Sequence, residues 1–194
     1  MKKIFLTITI IFATTMHMVA LADNNFEQLK KEIIVLYNSN KLKEAYQLIS
    51  KIPEENRDAD IWLLAANITQ DYGRDIDSIF LLQKTISVAP ENYKAYYNLG
   101  TLYLRDKKYN SAITNLNLCL KYNKEFSHAW NNLGLAYYEL EEYSKAKKAF
   151  MRAISYKTTE PDFYYNLAVT YKKLNKKKQA EKMLKIYNTL IDKK

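Results

Sequence analysis

The chain has 194 residues, 48% of them hydrophobic, and 30 Lys and Arg against 21 Asp and Glu give it a formal net charge of +9. That length suits one domain with a continuous core. One cysteine, Cys119, excludes an internal disulfide, and three scattered glycines exclude a phosphate-cradling loop.

Residues 1–22 read as a signal peptide. Lys2 and Lys3 give a charged start, Ile4 to Ala13 is almost entirely apolar, and Ala20-Leu21-Ala22 is a small-x-small exit before Asp23. The expectation is an exported, periplasmic chain beginning at Asp23. A retained membrane anchor is the alternative, since about 20 apolar residues span a bilayer; His17 and several Thr make this segment a poor span. No cysteine follows the exit site, so a lipid anchor is not expected.

From Ala59 onward the chain repeats itself every 34 residues. The units begin at Ala59, Tyr93, Ser127 and Pro161, giving repeats 59–92, 93–126, 127–160 and 161–194. Position 4 of each unit is Trp62, Tyr96, Trp130, Tyr164; position 7 is Ala65, Leu99, Leu133, Leu167; position 8 is Ala66, Gly100, Gly134, Ala168; position 11 is Thr69, Tyr103, Tyr137, Tyr171. At 100° per residue these four positions share one helical face. Positions 20 and 24 begin the face of a second helix, and polar runs such as "RDKKY" and "LNKKK" lie between the two. Each unit is therefore expected to be an antiparallel helix pair. Small residues at positions 8 and 20 mark where the two helices cross at close range. Position 27 reads Thr85, Cys119, Ala153 and then Tyr187: small where another unit must stack, large where none follows. Cys119 is thus expected to be a buried structural thiol. Residues 26–58 are a degenerate copy, one residue short, as expected of a terminal unit with one side toward water.

The runs at 96–103, 130–137 and 164–171, with Ala112, Ala146 and Ala180 downstream, resemble the tetratricopeptide repeat. The resemblance implies an all-α, right-handed superhelical solenoid of antiparallel helix pairs, about five repeats over residues 23–194, whose first helices line a concave groove. It departs from the usual pattern at Ala65 and Thr69.

No catalytic constellation can be assembled. Past residue 22 there is one histidine, His128, and one cysteine, too few for a Cys/His metal set, and Cys119, expected in a packed seam, is not expected to act as the nucleophile of a Cys–His pair. Acidic groups such as Glu139, Glu141 and Glu142 fall where helix ends meet turns. No cofactor and no metal are expected.

The face opposite the core is left to line the groove. Position 6 reads Leu64, Asn98, Asn132, Asn166, and positions 2, 5, 9, 12 and 13 surround it. The candidate groove residues are Asn67, Lys94, Tyr97, Asn98, Arg105, His128, Asn131, Asn132, Tyr138, Tyr165, Asn166 and Lys172. A carboxamide both donates and accepts, so it pairs with a peptide backbone whatever the side chains. First helices about 10 Å apart match about three residues of extended chain. Two readings of the Asn column stand: a ladder for an extended segment of another protein, as in peptide-binding members of the family, or a habit of the repeat. The Lys/Arg clamp that some members use for chaperone tails is absent, since position 5 is never Lys and position 6 never Arg. His128 is a polar lining residue.

The last unit is basic, with nine Lys from Lys172 onward against Glu181 and Asp192. A solvated final helix is one reading; docking on an anionic membrane surface is the other. Export argues against nucleic acid.

Overall fold

The computed structural model describes residues 25–192. The expected signal peptide and the last two lysines lie outside the described residues. Within them the chain forms α1 (25–38), α2 (Leu42–Ser50), α3 (Ala59–Asp71), α4 (Asp75–Val88), α5 (Tyr93–Arg105), α6 (Tyr109–Tyr122), α7 (Ser127–Glu139), α8 (Tyr143–Tyr156), α9 (Pro161–Lys173) and α10 (Lys177–Ile191). Among the described residues there is no strand. From α3 onward each helix packs on its partner within the pair, each second helix from α2 to α8 packs on the first helix of the next pair, and α7 also touches both α5 and α9. The result is the expected solenoid of antiparallel helix pairs.

The pairs close at positions 8 and 20. A β-carbon on Gly100 would meet Cγ of Leu116 at 2.7 Å, and one on Gly134 would meet Cε1 of Phe150 at 2.6 Å. Phe150 and Leu116 are fully buried and have nowhere to retreat. In α3 and α4 the same crossing uses Ala66 and Ser78, whose hydroxyl donates to the Ala66 carbonyl at 2.9 Å. Thr69, in the place of the usual aromatic, turns its hydroxyl back to the Ala65 and Ala66 carbonyls at 3.0 and 2.8 Å, so its polar atom is satisfied in the core.

The turn inside every pair is the same. Each first helix ends in a residue with positive φ: Asn40 (58°), Gly73 (70°), Lys107 (57°), Glu141 (59°) and Asn175 (56°). The next N–H then bonds back five residues, as Lys108 to Tyr103, Glu142 to Tyr137 and Lys176 to Tyr171 at 2.8–2.9 Å. This is the Schellman motif, which satisfies the last carbonyls of the helix. Gly and Asn suit the left-handed conformation; Lys107 and Glu141 adopt it at a steric cost.

The first pair is tied on differently. Pro53 carries no N–H and lies just beyond the short α2, followed by a single 3₁₀ turn, Glu54–Asn56. Lys30 of α1 then bridges Asp58 and Asp60 at 2.7 and 2.6 Å, joining it to the start of α3. Asp58 also caps α3, accepting from the Ile61 N–H at 2.9 Å.

Cys119 is fully buried in the seam between pairs, and burial pushes its thiol up to about 12. The thiolate that reacts with electrophiles is thereby suppressed. A bulky maleimide at neutral pH should label the folded protein far more slowly than the protein in denaturant; equal rates would take Cys119 out of the seam. Gly134→Leu should force α7 and α8 apart and cost at least about 1–3 kcal/mol by overpacking. Denaturant unfolding with the parent's midpoint would show that the crossing is not tight there.

Candidate functional site

The stacked first helices present their remaining face as a groove, and the Asn column runs along it as rungs. Asn98 on α5 donates through Nδ2 to Oδ1 of Asn67 on α3 at 2.7 Å. Asn132 on α7 donates to the Thr101 hydroxyl on α5 at 3.0 Å. Asn166 on α9 donates to Oδ1 of Asn131 on α7 at 2.9 Å. Asn131 in turn donates to Oδ1 of Asn132 at 3.4 Å. The three bonds between helices bridge 31 or 35 residues of sequence, so α5, α7 and α9 are each pinned to the first helix before it. A carboxamide has two N–H groups and an oxygen. The rungs take one N–H from each of Asn98, Asn132 and Asn166, which are half-buried and keep a second N–H each, while the Asn132 oxygen also accepts from Asn131. Asn131 is buried, and its amide and its oxygen are both engaged by neighbours.

A second inter-repeat bond explains the aromatic at position 4. Tyr96 donates through its hydroxyl to the Pro90 carbonyl at 3.0 Å, Trp130 through Nε1 to the Lys124 carbonyl at 2.7 Å, and Tyr164 to the Thr158 carbonyl at 3.1 Å. Each acceptor lies in the loop that ends the preceding pair. A Phe would fill the space and leave that bond unmade. Trp62 instead lies under the Arg57 guanidinium, 4.8 Å from the ring centroid.

The other candidate residues divide by place. At the start of the first helices runs an aromatic chain: Tyr97 against Phe126 with centroids 4.8 Å apart, Phe126 against His128 at 5.9 Å, and His128 against Phe163 at 5.6 Å. His128 is thus a ring among rings, with its Nδ1 3.5 Å from the Ser127 hydroxyl. Lys94 is exposed nearby. At the far end of the same helices, Arg105 pairs with Asp75 of α4 and Lys172 is exposed. Between α7 and α9 the structure brings Tyr138, Tyr165 and Asn166 together around a recess of about 200 Å³, floored by Leu135, Phe150 and Val169 and edged by Glu139. Tyr165 is 47% exposed and leans on Tyr187 with centroids 5.4 Å apart.

Sequence reasoning placed Thr101, Leu135 and Val169 on the groove face but did not see them as the partner of Asn132 and the floor of the recess. Phe126 was missed; it precedes the repeating helix and varies from unit to unit, so the period gives no signal for it. Among the described residues, no three His, Cys, Asp or Glu side chains converge as a metal site requires, and no helix is long and apolar enough to cross a membrane.

The Asn132 rung is testable through coupling. Asn132→Ala and Thr101→Val together should destabilise less than the sum of the two single changes, with a coupling of about 0.5–1.5 kcal/mol. Strict additivity in denaturant unfolding would remove the rung.

Three family models, each described as tetratricopeptide repeat, match residues 81–114, 127–157 and 161–185. No curated protein matches the chain in sequence. Among solved structures, a crystal structure of MamA is 23% identical, covers 81% of this chain and 93% of its own, and superposes with a TM-score of 0.74. MamA 41-end from Desulfovibrio magneticus RS-1 is 18% identical, covers 87% and 96%, and has a TM-score of 0.76. The MamA RS-1 ArsTM double mutant is 17% identical, covers 86% and 94%, and has a TM-score of 0.77. At these identities the likeness is one of fold.

Proposed function

Since this chain is a tetratricopeptide repeat protein, we propose that it is a protein-interaction scaffold, non-catalytic, which holds an extended segment of another protein along its concave groove. The observation that carries this reading is the row of half-buried carboxamides at Asn98, Asn132 and Asn166, one per repeat, beside the recess under Tyr138 and Tyr165. The rungs fix the carboxamides in place before any ligand arrives, so little side-chain entropy is lost on binding. Their spare N–H and C=O capacity suits a peptide backbone. The 200 Å³ recess suits one apolar side chain of that peptide, and the two tyrosines give it apolar walls with polar tips. The order of charge, apolar run and small-residue exit in residues 1–22 supports export, so the partner belongs to the cell envelope.

A second reading has one specific observation behind it. Lys176, Lys177 and Lys178 are all exposed, and the last two stand in the first turn of α10, where cations oppose the helix dipole. Anionic lipid would relieve that repulsion, and the chain would then act at a membrane surface.

One experiment separates the two. A photo-crosslinking residue at position 165 is used to capture the partner from envelope extract, and the captured segment is titrated as a peptide against variants. Tyr138→Ala and Tyr165→Ala should each weaken binding at least fivefold, which corresponds to about 1 kcal/mol or more. Changing Lys176, Lys177 and Lys178 to Gln should leave the affinity unchanged. Tight binding that survives both tyrosine changes overturns the groove. Loss of binding to anionic vesicles on the lysine changes, with the peptide affinity indifferent to the tyrosines, establishes the membrane reading.

A further inference from the structure

A larger recess opens on the opposite face. Between α6 and α8 lies a cleft of about 630 Å³, floored by Trp130, Leu133 and Tyr137 of α7. Its α8 rim carries Lys145, Lys148 and Arg152, and no carboxylate lines it. Lys145 pairs with Glu142 and lies 5.3 Å over the Tyr137 ring. Lys148 and Arg152 form no ion pair among the described residues. Met151, on the lip, is 49% exposed.

This character is not common to the repeats, although α10 is basic too. The α8 sequence "YSKAKKAFMRAISY" contains no acid, whereas the equivalent α4 begins with Asp75 and Asp77 and α6 has Lys121 as its one charge. The repeat needs neither the basic rim nor the open apolar floor: Leu116 and Phe150 hold the crossings without them.

We propose that this convex cleft docks an amphipathic helical segment of a partner protein, its apolar side chains over Trp130 and Tyr137 and a row of carboxylates along one flank facing Lys148 and Arg152. Charge complementarity sets the acidic flank. The spacing sets the helix: Lys145, Lys148 and Arg152 recur at helical steps, about 5 Å apart along the axis, and carboxylates one turn apart on a second helix meet them in register. An extended chain presents same-side residues about 6.6 Å apart and drifts out of step. A flat bilayer would meet the rim and miss the floor. The site is independent of the groove, since it uses the second helices and the far side of α7.

The test uses the full chain carrying Trp62→Phe, so that Trp130 alone reports. The probe is a capped helix-forming peptide of about 15 residues, with Leu at i, i+3, i+4 and i+7 and Glu along one adjacent flank. It should shift Trp130 emission to the blue, and calorimetry on the unsubstituted chain should return the same affinity. Lys148→Glu with Arg152→Glu should weaken it about tenfold or more, and a peptide with Lys in place of Glu should not bind. Tyr165→Ala, in the groove, should leave the affinity unchanged. The proposal falls if Trp130 does not respond, if binding survives the double charge reversal, or if Tyr165→Ala abolishes it. It falls equally if vesicles of phosphatidylglycerol and phosphatidylcholine produce the same Trp130 shift, because lipid is then the occupant.

Discussion

At Gly134 a β-carbon would stand 2.6 Å from the ring of Phe150, inside the contact distance of any two carbons. The helices of the pair have approached until a hydrogen is the largest group that fits between them. That approach is what lets Phe150 and Leu116 fill the crossings to zero exposure. The remaining geometry follows from it. Once the two helices of a pair are fixed, the aromatic at position 4 falls within reach of the preceding loop, and the Asn at position 6 falls within reach of the preceding first helix. Where α3 and α4 use Ala66 and Ser78, the serine hydroxyl on a backbone carbonyl holds the same approach with one more atom of bulk.

The seams between pairs combine apolar filling with polar addressing. Small residues, Thr85, Cys119 and Ala153, let the next pair settle against them, and all three are fully buried. Such surfaces are slippery, since burial alone does not distinguish one register from the next. The Asn rungs and the Tyr or Trp bonds to loop carbonyls supply direction, because each has an acceptor in one place. Among the described residues no buried side-chain nitrogen or oxygen lacks a partner, so hydrogen bonds offset the desolvation of the buried polar groups. The two sides of the solenoid then diverge. The groove side is polar and pinned; the convex side keeps open apolar floor at Trp130 and Tyr137 with cations above it.

The fold was legible in the sequence because its causes repeat. Trp or Tyr at position 4, Gly or Ala at position 8 and Ala or Ser at position 20 recur at one interval, and stacked helix pairs account for that recurrence. The site was less legible because the acceptors change in residue type, and once in position, from unit to unit. Asn98 finds Asn67 and Asn132 finds Thr101, both at position 9 of the preceding unit, whereas Asn166 finds Asn131 at position 5. A column of identical residues suggests identical roles, and the choice of acceptor comes from side-chain reach across a seam that no local pattern describes. The left-handed residues were legible at Gly73 and hidden at Lys107 and Glu141, whose side chains give no hint of positive φ. The cations of α8 carry no signal in the period, because the other wall of the cleft comes from α6 and α7.

The recurring turn also bears on how such a chain changes its length. Every first helix closes its own carbonyls through the Schellman bonds, whatever residue occupies the left-handed place. Main-chain to main-chain bonding at these turns is therefore settled inside each pair, and the seams add side-chain bonds, some of them to loop carbonyls. A duplication or deletion of 34 residues, cut in the loops after Val88, Tyr122 or Tyr156, removes or adds a whole pair and orphans no backbone group. It also brings a small residue against a small residue at the new joint. The unit of inheritance coincides with the unit of hydrogen-bond closure, so groove length is free to vary in whole steps while the rung spacing stays the same.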